Sequence, residues 1–78
     1  MGNIIFSLHA ELKIKQRRIS KYDVIQTVTD PDFEKSGHSF RVERYRKFGE
    51  NYLKVVIKRE AISIIVITTH WVAKLKNK

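Results

Sequence analysis

Hydrophobic residues change their spacing once along this chain, and the change falls at Pro31. Before it, apolar positions recur at the three- and four-residue intervals of helices; after it they alternate. Ser7 stands where an N-cap is expected, which predicts a first helix over residues 8–17 or 8–18. Leu8 and Leu12, with Ile19 beyond the helix end, lie on one side, and Ala10 and Ile14 on another. Ser20 followed by Asp23 has the form of a capping box, so a second helix is expected from near Lys21. Val24, Ile25 and Val28 give it an apolar face. Thr29-Asp30-Pro31-Asp32 ends it, because proline disfavours helix in the residue before it. No third helix follows to complete a DNA-reading module.

Beyond Pro31 the period is two. Residues 38–48 read as a strand with Phe40 and Val42 on one face and Arg41, Glu43 and Tyr45 on the other. Gly49-Glu50-Asn51 makes a hairpin turn. In residues 52–59, Leu53, Val55 and Ile57 face one way, and Lys54, Val56 and Lys58 the other. Glu60-Ala61 turns the chain again. Residues 62–71 are apolar on both faces through Ile67, as in a strand lying between neighbours. Asn3–Phe6 is a candidate for a short fourth, edge strand. The expectation is an α+β fold, two N-terminal helices packed on a three- to four-stranded antiparallel sheet. Phe40, Val24, Ile25, Val28, Leu53, Val55 and Ile57 are assigned to its core. The free face presents Lys54, Lys58, Arg41 and, near the end of the last strand, His70 or Trp71. Residues 1–73 read as a single domain and 74–78 as a charged, mobile tail.

Composition narrows the chemistry. Seventy-eight residues bury about 60–65% of their unfolded surface, which supports one small core. Without cysteine there is no disulfide or thiolate metal site, and three separated histidines make no zinc pattern. No metal or cofactor is expected. No signal peptide is evident, and the longest apolar run, residues 64–67, is too short to span a bilayer. The reading is a soluble, cytoplasmic protein with no membrane partner. Sixteen Lys and Arg against eight Asp and Glu, net charge +8, are the footprint of a nucleic-acid binder. The same excess also suits a ribosome-associated protein or one docked on an acidic partner. A glycine-rich phosphate loop, HExxH and a nucleophile elbow are all missing. Asp23, Asp30, Asp32 and Glu34 are dispersed around caps and turns rather than converging on a hard cation. A nuclease of this composition would be metal-independent and use the ribose 2′-OH as nucleophile, so its substrate would be RNA.

Three groups of residues are able to carry such chemistry. On the first helix, His9, Lys13, Gln16 and Arg17 fall within roughly 100° of arc. There His9 suits a general acid or base and Arg17 a phosphate clamp. The plainer reading makes His9 a first-turn residue and Arg17 a surface cation favoured by the helix dipole. On the strands, Arg41, Arg44, Arg46, Lys54, Lys58 and Arg59 interleave with Phe40, Tyr45, Tyr52 and Trp71. Cations with aromatics are how sheets hold unpaired RNA, though a solvated, aggregation-resistant face has the same composition. Third, His70 follows Thr68 and Thr69 at the end of an apolar strand, as a site residue or as a structural histidine.

The run Phe6-Ser7-Leu8-His9-Ala10, then Ile14, Arg17 and Ile19-Ser20, resembles the opening of a family of small bacterial and archaeal domains of unknown function. The closing segments Leu53-Lys54-Val55-Val56-Ile57 and Ile64-Ile65-Val66-Ile67-Thr68 are similar to that family's two apolar strands. This chain departs from it at Arg18, where Gly is usual, and at Lys13, where Arg is more common. The family in turn resembles the barnase–EndoU–colicin–RelE group of metal-independent RNases, many of them toxins held by antitoxins. The resemblance implies a RelE/barnase-like fold and matches His9 and Arg17 to the family's polar pair on the first helix. The function expected is RNA binding, with metal-independent endoribonuclease activity of toxin type. His9, Arg17 and His70 are its candidate catalytic residues, and Lys13, Arg41, Arg44, Lys54, Lys58 and Tyr45 its candidate RNA contacts. RNA and an acidic antitoxin are the partners implied. The alternatives are a non-catalytic nucleic-acid-binding module and a protein-interaction module docking an acidic partner.

Overall fold

Two serines start the two helices. In the computed structural model, which describes residues 3–73, α1 spans Leu8–Arg17 and α2 spans Lys21–Thr29. The Ser7 hydroxyl accepts from the Ala10 amide, and the Ser20 hydroxyl from the amides of Tyr22 and Asp23, so first-turn N–H groups without helical partners are satisfied. α1 ends in a left-handed residue, Arg18, at φ 54°. The amides of Arg18 and Ile19 reach back to the carbonyls of Lys15 and Ile14 at 3.4 and 3.0 Å, a Schellman closure that tucks buried Ile19 against buried Ile14. A left-handed cap explains why glycine suits this position in the resembling family.

The sheet corrects the expectation of three or four antiparallel strands. Five strands are present, β1 (Asn3–Phe6), β2 (Phe33–Ser36), β3 (Arg41–Phe48), β4 (Asn51–Glu60) and β5 (Ser63–Val72), in the order β1-β5-β4-β3-β2. The sheet is mixed, because β1 pairs parallel with β5 while all other neighbours are antiparallel. β2 escaped sequence reading because Phe-Glu-Lys-Ser carries one apolar residue. It is an edge strand held by its ladder to β3, which needs no apolar period.

α1 packs on β5, and α2 on β4 and β3. The core lies between this helix layer and one face of the sheet, where Ala10, Ile14, Ile19, Val24, Val28, Leu53, Val55, Ile57 and Val66 form one cluster. Two core assignments fail. Ile25 is 38% exposed, because α2 turns Val24, Thr27 and Val28 to the sheet and leaves Ile25 a helical step to the side. Phe40 is 94% exposed, because β3 begins one residue later and Phe40 sits in the preceding turn at φ 63°. No helix among the described residues is long and apolar enough to cross a membrane. The 74–78 tail lies outside the described residues.

Candidate functional site

Cross-strand partners share a face of the sheet, so the register shows what faces away from the helices. One row reads Phe33, Tyr45, Lys54, His70; the next reads Lys35, Glu43, Val56, Thr68; a third reads Arg41, Lys58, Ile65, Ile5. His70 is therefore the direct neighbour of Lys54, and Trp71 lies opposite Leu53 on the helix side. An irregularity makes this so. Val56 pairs with Thr68 and Ile57 with Val66, leaving Ile67 as an extra residue, a β-bulge. Unbulged alternation from buried Val66 would turn His70 toward the helices and Thr69 away from them. With the bulge, Thr69 is buried, its hydroxyl donating to the Lys54 carbonyl at 3.1 Å, and His70 takes the open face.

Ser7 ties the bulge to the first helix. Its amide donates to the Val66 carbonyl and its hydroxyl to the Ile67 carbonyl, both at 3.0 Å. The same hydroxyl caps α1. α1 thus begins where β1 ends and continues along the edge of β5. Ala10 and Ile14 are buried. Glu11, on one flank of that buried stripe, pairs with Lys21 of α2 at 3.0 Å, which marks the flank turned to the helix layer. Lys13 and Arg17 lie on the opposite flank, toward the open face.

The electrostatics of His70 record the convergence. Burial holds its pKa below the usual histidine value, and the positive charges of Lys54, Arg17 and Lys13 push in the same direction, with Glu43 opposing. A neutral imidazole at neutral pH, facing cations from both α1 and β4, is suited to accept a proton beside a bound anion. Glu43 is the counterweight that sequence reading missed. It accepts from the Tyr45 hydroxyl at 3.1 Å and lies 3.7 Å from the Lys54 ammonium. Its alternation with Tyr45 on one strand was the available signal. Burial, followed by the hydrogen bond and charge of Glu43, pushes the Tyr45 hydroxyl up to about 12.

The other candidate residues are distributed unevenly. Tyr45 is buried and stacked on Phe33 at 4.7 Å between ring centroids, with the Lys35 and Lys54 ammonium groups 5.7 and 6.0 Å from its ring. Its faces are occupied by protein. Arg44 is on the helix side, bonded to the Val28 carbonyl and paired with Glu34 at 2.9 Å. Arg46 similarly reaches the Asp30 carbonyl and carboxylate. Both arginines bind the C-terminal end of α2, where carbonyls lack helical partners. His9 is exposed in the first turn of α1. Arg41 and Lys58 are cross-strand partners at the far end of the open face, Lys58 3.7 Å from Glu60. Lys13, Arg17 and Arg41 have no ion-pair partner among the described residues. No group of three or more His, Asp or Glu side chains gathers as a metal site among the described residues.

A family model, Domain of unknown function (DUF4258), matches residues 6–71. The chain belongs to that family. The match runs from Phe6, just before the Ser7 cap, to Trp71, just after His70, and so takes in the whole constellation. No curated protein and no solved structure matches the chain.

Proposed function

We propose that the open face binds RNA and cleaves it without a metal ion, as endoribonucleases of toxin type do. The observation that carries this reading is the register that sets His70 directly beside Lys54 on the open face, where burial and the charges of Lys54, Arg17 and Lys13 disfavour its imidazolium. A scissile phosphate held by these cations brings the ribose 2′-OH to the imidazole. His70 takes the 2′-OH proton, the 2′-oxygen bonds to phosphorus, and the P–O5′ bond breaks. The leaving 5′-oxygen takes its proton from water, since His9 stands exposed in the first turn of α1, two helical turns before Arg17. The products are a 2′,3′-cyclic phosphate and a 5′-hydroxyl. Charge on the pentacoordinate phosphorus is stabilised by Lys54 and Arg17. The reading is supported by the likeness of the family that the Ser7-Leu8-His9-Ala10 opening resembles to metal-independent RNases.

Cleavage of single-stranded and structured RNA between pH 5 and 9 tests it. His70→Ala is expected to lower kcat/KM by about 10²–10⁴-fold with RNA affinity within a few-fold, and EDTA to leave the rate unchanged. Arg17→Ala lowers both rate and affinity, since a clamp acts in the ground state too. Absence of cleavage throughout that range sinks the enzyme reading and leaves binding alone.

A second reading has its own observation. Leu8 and Leu12 are 89% and 55% exposed on the outer side of α1, beside the basic stripe. RNA phosphates have no use for them, whereas an acidic protein partner with an apolar strip would cover both. Such a partner would also occlude Lys13 and Arg17, as an antitoxin must.

A further inference from the structure

The β2–β3 hairpin turns through Ser39 and Phe40, both with positive φ, 57° and 63°. The Arg41 amide donates to the His38 carbonyl at 3.1 Å, and the Gly37 amide to the Arg41 carbonyl at 2.8 Å. This is a two-residue turn of the I′ kind, whose usual occupants are Asn and Gly. A bulky side chain at such a φ is an outlier, and nothing in the fold rewards it, since Phe40 is 94% exposed. Its chain neighbours Ser39 and Arg41 are polar and exposed, and no other ring or cation is stacked on it among the described residues. Cations stand close by along the chain and across the strand. Arg41 and Lys58 pair across β3 and β4 on the open face, four residues along β4 from Lys54, about 13 Å away.

We propose that Phe40 is a stacking platform for an unpaired nucleobase, on an RNA strand whose phosphates cross Arg41 and Lys58 on the way to His70. This rests on the reading of the open face as an RNA site. One free aromatic face is all that base stacking requires, and neighbouring cations supply the backbone contacts. The span from the His70 row to the Arg41 row corresponds to roughly four stacked nucleotides. Phe40 would therefore hold a base several positions from the scissile phosphate and favour unpaired over duplex substrate.

The test is binding of a labelled, unstructured 2′-O-methyl RNA of about ten nucleotides, which cannot be cleaved through its 2′-oxygen, and of the same strand with abasic sites. Phe40→Gly and Phe40→Leu are expected to weaken binding of the base-bearing strand about tenfold or more and to leave the abasic strand unaffected. Phe40→Trp should bind within a few-fold of the natural protein. Phe40→Gly should also keep its Tm or gain a few degrees, because glycine takes positive φ freely. Unchanged affinity in both Phe40→Gly and Phe40→Leu, or equal losses on the two strands, overturns the platform while leaving the RNA site standing. Failure of the natural protein to bind either strand at low salt overturns both. Loss of protein–protein association in place of RNA binding would reassign the ring to a protein contact and overturns the proposal.

Discussion

The two faces of the sheet use the same residue types for opposite ends. On the helix side, Leu53, Val55, Ile57 and Val66 have no exposed surface, and the charged residues there, Arg44 and Arg46, close the end of α2. On the open side, Lys54, Arg41 and Lys58 close nothing in the backbone, and His70 and Tyr45 have displaced pKa values. Displaced titration is common where groups are arranged for chemistry. A strand arginine and a strand lysine one residue apart in register can therefore have unrelated roles, and the face decides which.

The contrast breaks most visibly by truncation in the core. Leu53→Ala should cost about 2–5 kcal/mol, the range for a fully buried leucine, and denaturant unfolding will read it. Next in size, Arg44→Met should cost about 1–3 kcal/mol, because the Val28 carbonyl and Glu34 lose a charged donor, while the salt dependence of RNA binding stays put. The pair Lys54→Ala and Lys58→Ala should do the reverse. Stability should fall by less than in Arg44→Met, since both ammonium groups stand 3.7 Å from their carboxylates, and the log–log salt slope should flatten by about two units if both contact phosphates. Equal behaviour of Arg44 and the two lysines in these assays would erase the distinction between the faces.

An effect smaller than that of Arg44→Met, and of opposite sign, is expected at Arg18. Glycine at φ 54° removes a strained left-handed residue, so Arg18→Gly should raise stability by about 1 kcal/mol. Smallest of all is the pH dependence from His70. Its folded pKa lies below the unfolded value, so between the two the unfolded chain binds more protons. Stability should therefore rise with pH across that interval and be lost as pH falls through it. Urea midpoints in His70→Ala should lack this increment.

Much of the architecture was legible because local rules governed it. The caps at Ser7 and Ser20, the break at Pro31 and the alternation about Leu53, Val55 and Ile57 each follow from residue type and spacing. β2 was not legible, since an edge strand with one apolar residue is specified by its neighbour's ladder. Phe40 was misplaced because the strand was extended three residues past the true start of β3, into a turn whose positive φ values at Ser39 and Phe40 no Gly or Asn announced. The candidate site was legible as two unconnected parts, the Lys13/Arg17 flank of the first helix and the Lys54/His70 region. Their meeting depends on the bulge at Ile67 and on Ser7 gripping it. A register shift of one residue leaves no signature in hydrophobic period when the strand is apolar on both faces.

The most direct measurement is an NMR pH titration of the histidine imidazoles, free and with an uncleavable 2′-O-methyl RNA. His70 is expected to titrate below the ordinary value of about 6.5 in the free protein, because burial, Lys54, Arg17 and Lys13 all oppose its charge. Replacing Lys13 and Arg17 by Met should move it upward. Bound RNA should also move it upward, since a phosphate beside the ring favours the imidazolium. A His70 that titrates at the ordinary value, indifferent to both the α1 substitutions and RNA, would contradict the convergence of helix and sheet on a single site.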